Sequence, residues 1–99
     1  MAKKSKYPIV NNFYCTKCGN KGIPISRKAG KEKEPGHLKK LFCIYCNEEW
    51  NMVEIKPNDI HYTLTDFFNE YTYHNFDEEG NRIKPYKQFK EELRKSGVI

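Results

Sequence analysis

Ninety-nine residues carry 18 Lys or Arg against 13 Asp or Glu, a formal net charge of +5, with 37% hydrophobic and 14% aromatic residues. That length fits one small domain, and chains this short bury too little surface to rely on a hydrophobic core alone. The aromatic content excludes a disordered chain, and no apolar run approaches the roughly 20 residues that span a bilayer.

The charge is unevenly shared. Residues 1–56 hold 12 cations against 5 acids, and residues 57–99 hold 6 against 8. Any polyanion contact is therefore expected on the first half. In chain order, MAKKSKYP (1–8) reads as a flexible basic arm. It lacks the apolar run of a secretory signal, which predicts a soluble protein in the cytoplasm with no membrane partner. IVNNFY (9–14) predicts a short strand, with Phe13 and Tyr14 packing beside the first cysteine pair. GIPISR (22–27) alternates Ile23 and Ile25 around Pro24, and the proline assigns this strand to a sheet edge.

Residues 27–40 hold six Lys or Arg with Gly30, Pro35 and Gly36, the composition of an exposed loop. Leu38, Leu41 and Phe42 then offer core side chains before the second cysteine pair. EEWNMVEI (48–55) alternates Trp50, Met52 and Glu54 against Asn51, Val53 and Ile55. This predicts a strand with one face on the cysteine-bearing half and the other on the C-terminal half. Pro57 ends it.

The second half reads as helical. Leu64, Phe67, Phe68 and Tyr71 recur at helical spacing, and Thr63 with Asp66 resembles a capping box. DEEGN (77–81) is a turn. Pro85 fits a helix start, Tyr86, Phe89 and Leu93 form a second stripe, and Gly97 closes it.

All four cysteines lie in two C-x-x-C pairs, CTKCG (15–19) and CIYCN (43–47). Two residues between thiolates let one turn point both sulfurs at one ion, and a second turn completes a tetrahedron. Gly19 and Asn47, directly after each pair, tolerate the left-handed backbone that such a turn needs. One structural Zn2+ held by Cys15, Cys18, Cys43 and Cys46 is the leading expectation. Two disulfides are the alternative in an oxidising compartment, and four thiolates also suit iron.

Arg27, Lys28, Lys31, Lys33, Lys39 and Lys40 are the candidate nucleic-acid contacts, because neutralising phosphates releases counterions. Glu32 and Glu34 interleave with them and weaken the field. Tyr71, Tyr73, Phe76 and Tyr86 have the chemistry to stack on bases, though helical spacing favours a core role. His37, His61 and His74 share no ligand spacing. No catalytic constellation stands out, so neither an enzyme nor a small-molecule substrate is expected.

The two knuckles, CTKCG and CIYCN, resemble the zinc-ribbon superfamily over residues 13–55. The stretch GIPISRKAGKEKEPGHLKKLFCIYC is similar to small zinc-ribbon proteins encoded by bacteriophages and Gram-positive bacteria. Neither knuckle carries the proline of a C-P-x-C-G pattern, and Asn47 replaces the second glycine. The resemblance implies a bacterial host cytoplasm and a regulatory role in transcription. The resulting expectation is a small α+β protein: a basic arm (1–8), a zinc ribbon of three to four short antiparallel strands (9–56), and two amphipathic helices (57–99). Its partners would be nucleic acid or, alternatively, a host protein such as RNA polymerase, docked through the aromatic helices.

Overall fold

The computed structural model describes residues 9–27, 33–57 and 59–99. The expected arm at 1–8 lies outside them. Four strands precede two helices: β1 (Ile9–Cys15), β2 (Ile25–Arg27), β3 (Leu38–Cys43), β4 (Glu48–Ile55), α1 (Leu64–Thr72) and α2 (Tyr86–Lys95). The strands form one antiparallel sheet in the order β2-β1-β4-β3. This is the small α+β fold that the patterning predicts. Directly after Pro24, β2 lies at one sheet edge, where a residue without an N–H costs no ladder hydrogen bond.

The central strand β4 is covered on both faces, so Met52, Val53 and Glu54 are buried in succession. Alternation sends neighbouring residues to opposite sides. On one face Phe13, Cys15, Cys43 and Met52 form a core, flanked by Ile25, Leu41 and Trp50. On the other, Val53 packs with Tyr62 and Phe67, joined by Tyr14, Leu38, Leu64, Tyr71, Phe76 and Tyr86. Full burial of a side chain such as Phe13 or Phe67 contributes about 1.5–3 kcal/mol.

This division corrects three assignments. Tyr14, next to Phe13 on β1, points away from the cysteines and lies 5.5 Å, centroid to centroid, from Phe67. Leu38 joins the same aromatic face, and Phe42 is 50% exposed and lines neither core. In each case the two-residue period of the strand decides the side.

The helices start and stop as their sequences dictate. Thr63 and Asp66 form a reciprocal capping box at the start of α1. The first stripe packs through Phe67, with Phe68 left 42% exposed. Phe89 and Leu93 bury the inner face of α2. No helix among the described residues is long and apolar enough to cross a membrane.

Candidate metal centre

Each cysteine pair sits on a closed turn. The amide of Gly19 donates to the Cys15 carbonyl at 2.9 Å, and that of Asn47 to the Cys43 carbonyl at 2.8 Å. Both closing residues are left-handed, with φ of 75° at Gly19 and 58° at Asn47. An asparagine can therefore do at the second knuckle what glycine does at the first. Inside the turns, the amides of Lys17 and Cys46 point at the sulfurs of Cys15 and Cys43, each at 3.4 Å.

The hairpin β3–β4 carries the second knuckle, and β1 runs antiparallel to β4 with Cys15 opposite Met52. This pairing brings the two turns together. The sulfurs of Cys15 and Cys46 are 3.8 Å apart, those of Cys18 and Cys43 3.6 Å, and all four lie within 4.8 Å of one another. A zinc–sulfur bond of about 2.3 Å in a tetrahedron requires sulfur separations of about 3.8 Å. The four free cysteines are thus positioned to coordinate one metal ion. No other group of His, Cys, Asp or Glu among the described residues is gathered in that way.

The surroundings explain why the cluster needs a cation. Burial pushes the Cys15 thiol well above its ordinary range. Burial also raises Cys46, with hydrogen bonds to Cys18 and Cys43 adding to it, up to about 11. Burial opposes ionisation at Cys18 too, but hydrogen bonds from Asn20 outweigh it and lower that thiol to about 7. The Cys18 thiolate forms readily, and those of Cys15 and Cys46 do not unless a positive ion sits among them. Lys17, in the first turn, supplies a nearby positive charge. Its ammonium pairs with Glu48 at 2.5 Å and lies 4.8 Å from the centre of the Trp50 ring.

Comparison of the chain with protein families, curated proteins and solved structures finds no match. The centre therefore stands on its own geometry.

Two of the candidate nucleic-acid residues, Lys39 and Lys40, do not share one surface. Arg27 ends β2, Lys28 and Lys31 lie outside the described residues, and Lys33 is exposed. Lys39 and Lys40 are neighbours on β3 and so project to opposite faces of the sheet. Tyr71, Phe76 and Tyr86 pack in the aromatic core rather than presenting their faces for stacking, and Tyr73 is 45% exposed. His37 hydrogen-bonds Glu34 at 3.2 Å, away from the sulfurs.

Sequence reasoning misses a buried polar cluster on the aromatic face. The carboxylate of Glu70, 0% exposed, receives two bonds from the Arg82 guanidinium, at 2.7 and 2.9 Å. It also accepts the Tyr62 hydroxyl and the Asn75 amide. Nearby, the Tyr86 hydroxyl donates to Asp66. The signal in the sequence is an acid three residues after Phe67, on the inner side of an apolar stripe. A charge there needs a buried partner.

Proposed function

We propose that the chain is a non-enzymatic, zinc-binding regulatory protein that binds nucleic acid or acts in transcription. The observation carrying this reading is the four-sulfur cluster at tetrahedral spacing, seated on Phe13 and Met52. Four thiolates fill a zinc shell and leave no position for water or substrate, so the ion acts as a staple. Zinc is favoured over iron as the redox-silent ion of a small fold. The basic first half supplies the attraction to phosphate. The bacterial host cytoplasm implied by the resemblance to phage zinc ribbons belongs to the same reading.

Metal content of the purified protein and fluorescence anisotropy with duplex DNA and single-stranded RNA test it. The expected result is one zinc per chain, and binding that weakens linearly in log salt with a slope of about −3 to −6. Changing Arg27, Lys28, Lys31 and Lys33 to glutamine should flatten that slope. An unchanged affinity and slope would defeat the nucleic-acid reading.

A second reading, a module docking on a host machine such as RNA polymerase, is favoured by one observation. Phe42, Ile44 and Tyr45, on and beside the second knuckle, are 50%, 61% and 62% exposed. Because most of the helical aromatics are core, the docking surface in this reading moves to the knuckle. Co-purification of a stoichiometric partner that is lost on Ile44→Ser and Tyr45→Ser would support it, and recovery of that partner by the double variant would count against it.

A further inference from the structure

Strand β3 is the outer strand of the sheet on the side opposite β2. The register fixes which of its backbone groups face outward. The Glu54 amide donates to the His37 carbonyl at 2.8 Å, so His37 turns its backbone toward β4. In an antiparallel ladder that direction alternates along the strand. Lys39, Leu41 and Cys43 therefore bond to β4, while Leu38, Lys40 and Phe42 turn their N–H and C=O groups outward. Among the described residues, no other strand pairs with that edge.

The same three residues share a side-chain face. Leu38 is packed into the aromatic core, Lys40 is exposed, and Phe42 is half-exposed and separated from the exposed Ile44 and Tyr45 by Cys43 alone. The cross-strand neighbours on β4 are Asn51 for Lys40 and Glu49 for Phe42. Lys40 thus lies opposite a neutral side chain and, although it lines one cleft with Glu49 and Glu79, makes no ion pair among the described residues.

We propose that the open edge of β3 accepts an extended segment of a partner protein as a fifth strand. The segment sets a carboxylate opposite Lys40 and an apolar or aromatic residue, two positions along, opposite Phe42. This proposal rests on the protein-docking reading and deepens it. Strand addition draws affinity from main-chain hydrogen bonds and specificity from alternate side chains. The unpaired ammonium of Lys40 selects the acid, and the exposed Phe42 ring selects the apolar residue. A second copy of this chain fits less well. Two β3 edges paired about Lys40 would match Leu38 with Phe42 but place lysine against lysine, and like charges directly opposite are destabilising. Lysine on an edge is also a device that keeps sheets from self-pairing.

The test uses the zinc-loaded full chain, labelled with ¹⁵N, and a capped heptapeptide in which aspartate and phenylalanine, two positions apart, alternate with threonines. Amide exchange should slow at least tenfold at Leu38, Lys40 and Phe42 and stay unchanged at Lys39 and Leu41, which are already bonded. Lys40→Glu should weaken this peptide at least fivefold and favour one with lysine in place of aspartate. Perturbation confined to Ile44 and Tyr45 would leave protein docking standing and overturn strand addition. No perturbation up to millimolar peptide would overturn it as well. Protection of the same amides that grows with protein concentration alone would assign the edge to a second copy and overturn the acidic partner.

Discussion

The two faces of the central strand are held by different physics. Behind Met52 the core is small, and four cysteines converge there as ligands for a single ion. Behind Val53 the core is a cluster of rings around Phe67, closed by a buried carboxylate–guanidinium pair. The first face is arranged to depend on one ion, whereas the second depends on the shape and charge of many side chains. In a chain of 99 residues each face buries only a handful of large side chains, so each added constraint counts.

Removing the metal should produce the largest effect. Structural zinc contributes apparent binding energies of about 10–16 kcal/mol in small domains, comparable to or above the whole stability of a typical fold. Chelation, or Cys43→Ser, is expected to collapse the amide dispersion of β1, β3 and β4 in an NMR spectrum. Retention of the native spectrum by a fully demetallated protein would refute this. Lowering the pH should act in the same direction, since protons compete with the ion for thiolates.

Breaking the other face should cost less and leave the metal bound. Arg82→Met strands the Glu70 carboxylate, which is 0% exposed, and removing one partner of a buried pair costs about 3–5 kcal/mol. Tyr62 and Asn75 still donate to it, which favours the lower end of that range. Urea denaturation with a parallel zinc assay reads both outcomes. The double variant Glu70→Leu with Arg82→Met should recover only part of the loss, because it removes the stranded charge but leaves the buried Tyr62 hydroxyl and an Asn75 N–H without their acceptor. A double variant as unstable as Arg82→Met would show that the network does more than neutralise Glu70.

The contrast between the faces also explains which features are legible in the sequence. Knuckle closure is local: Gly19 and Asn47 follow their cysteines directly, so spacing and turn chemistry suffice to bring out the four-cysteine cluster. The Thr63–Asp66 cap is equally local. Long-range choices are not. Periodicity places Phe13 with Cys15, and Tyr14 opposite, only when the strand runs on into the cysteine; a strand read as ending at Tyr14 leaves the side of the sulfurs open. The partner of Glu70 lies twelve residues on, across a turn, where no spacing rule selects Arg82 over the lysines around it. Six cations within one polar stretch suggest a single basic surface, but the strand that begins at Leu38 splits Lys39 from Lys40.

Alkali should distinguish the faces in the sense opposite to acid. Burial, reinforced by the Glu70 carboxylate, raises the Tyr62 phenol well above its ordinary range. Burial and the hydrogen bond to Asp66 raise Tyr86 in the same way. With folded values above unfolded ones, these groups contribute full stability below pH ~10 and lose it as pH rises, by about 1.4 kcal/mol per pH unit for the buried Tyr62. Phenolate absorbance from Tyr62 and Tyr86 should appear only with unfolding. Seven tyrosines titrating together without unfolding would contradict the buried hydroxyls.

The smallest effect tests whether the faces are coupled. Tyr71 of α1 reaches around to the first knuckle, where its hydroxyl donates to the Lys17 carbonyl at 3.4 Å. Its ring would lie 3.1 Å from a Cβ added at Gly19, a residue with φ of 75°. Gly97, with φ of 81°, has nothing within 4 Å of such a Cβ and supplies the control. Alanine at either position incurs the left-handed penalty of about 1–2 kcal/mol. Only at Gly19 does the added methyl also press on the ring and, through it, on the aromatic core. Gly19→Ala should therefore cost more than Gly97→Ala in urea denaturation, and Tyr71→Leu should remove that excess. Equal losses at the two glycines would mean that the knuckle and α1 meet without transmitting strain, and that the metal and aromatic faces fold as separate halves of one sheet.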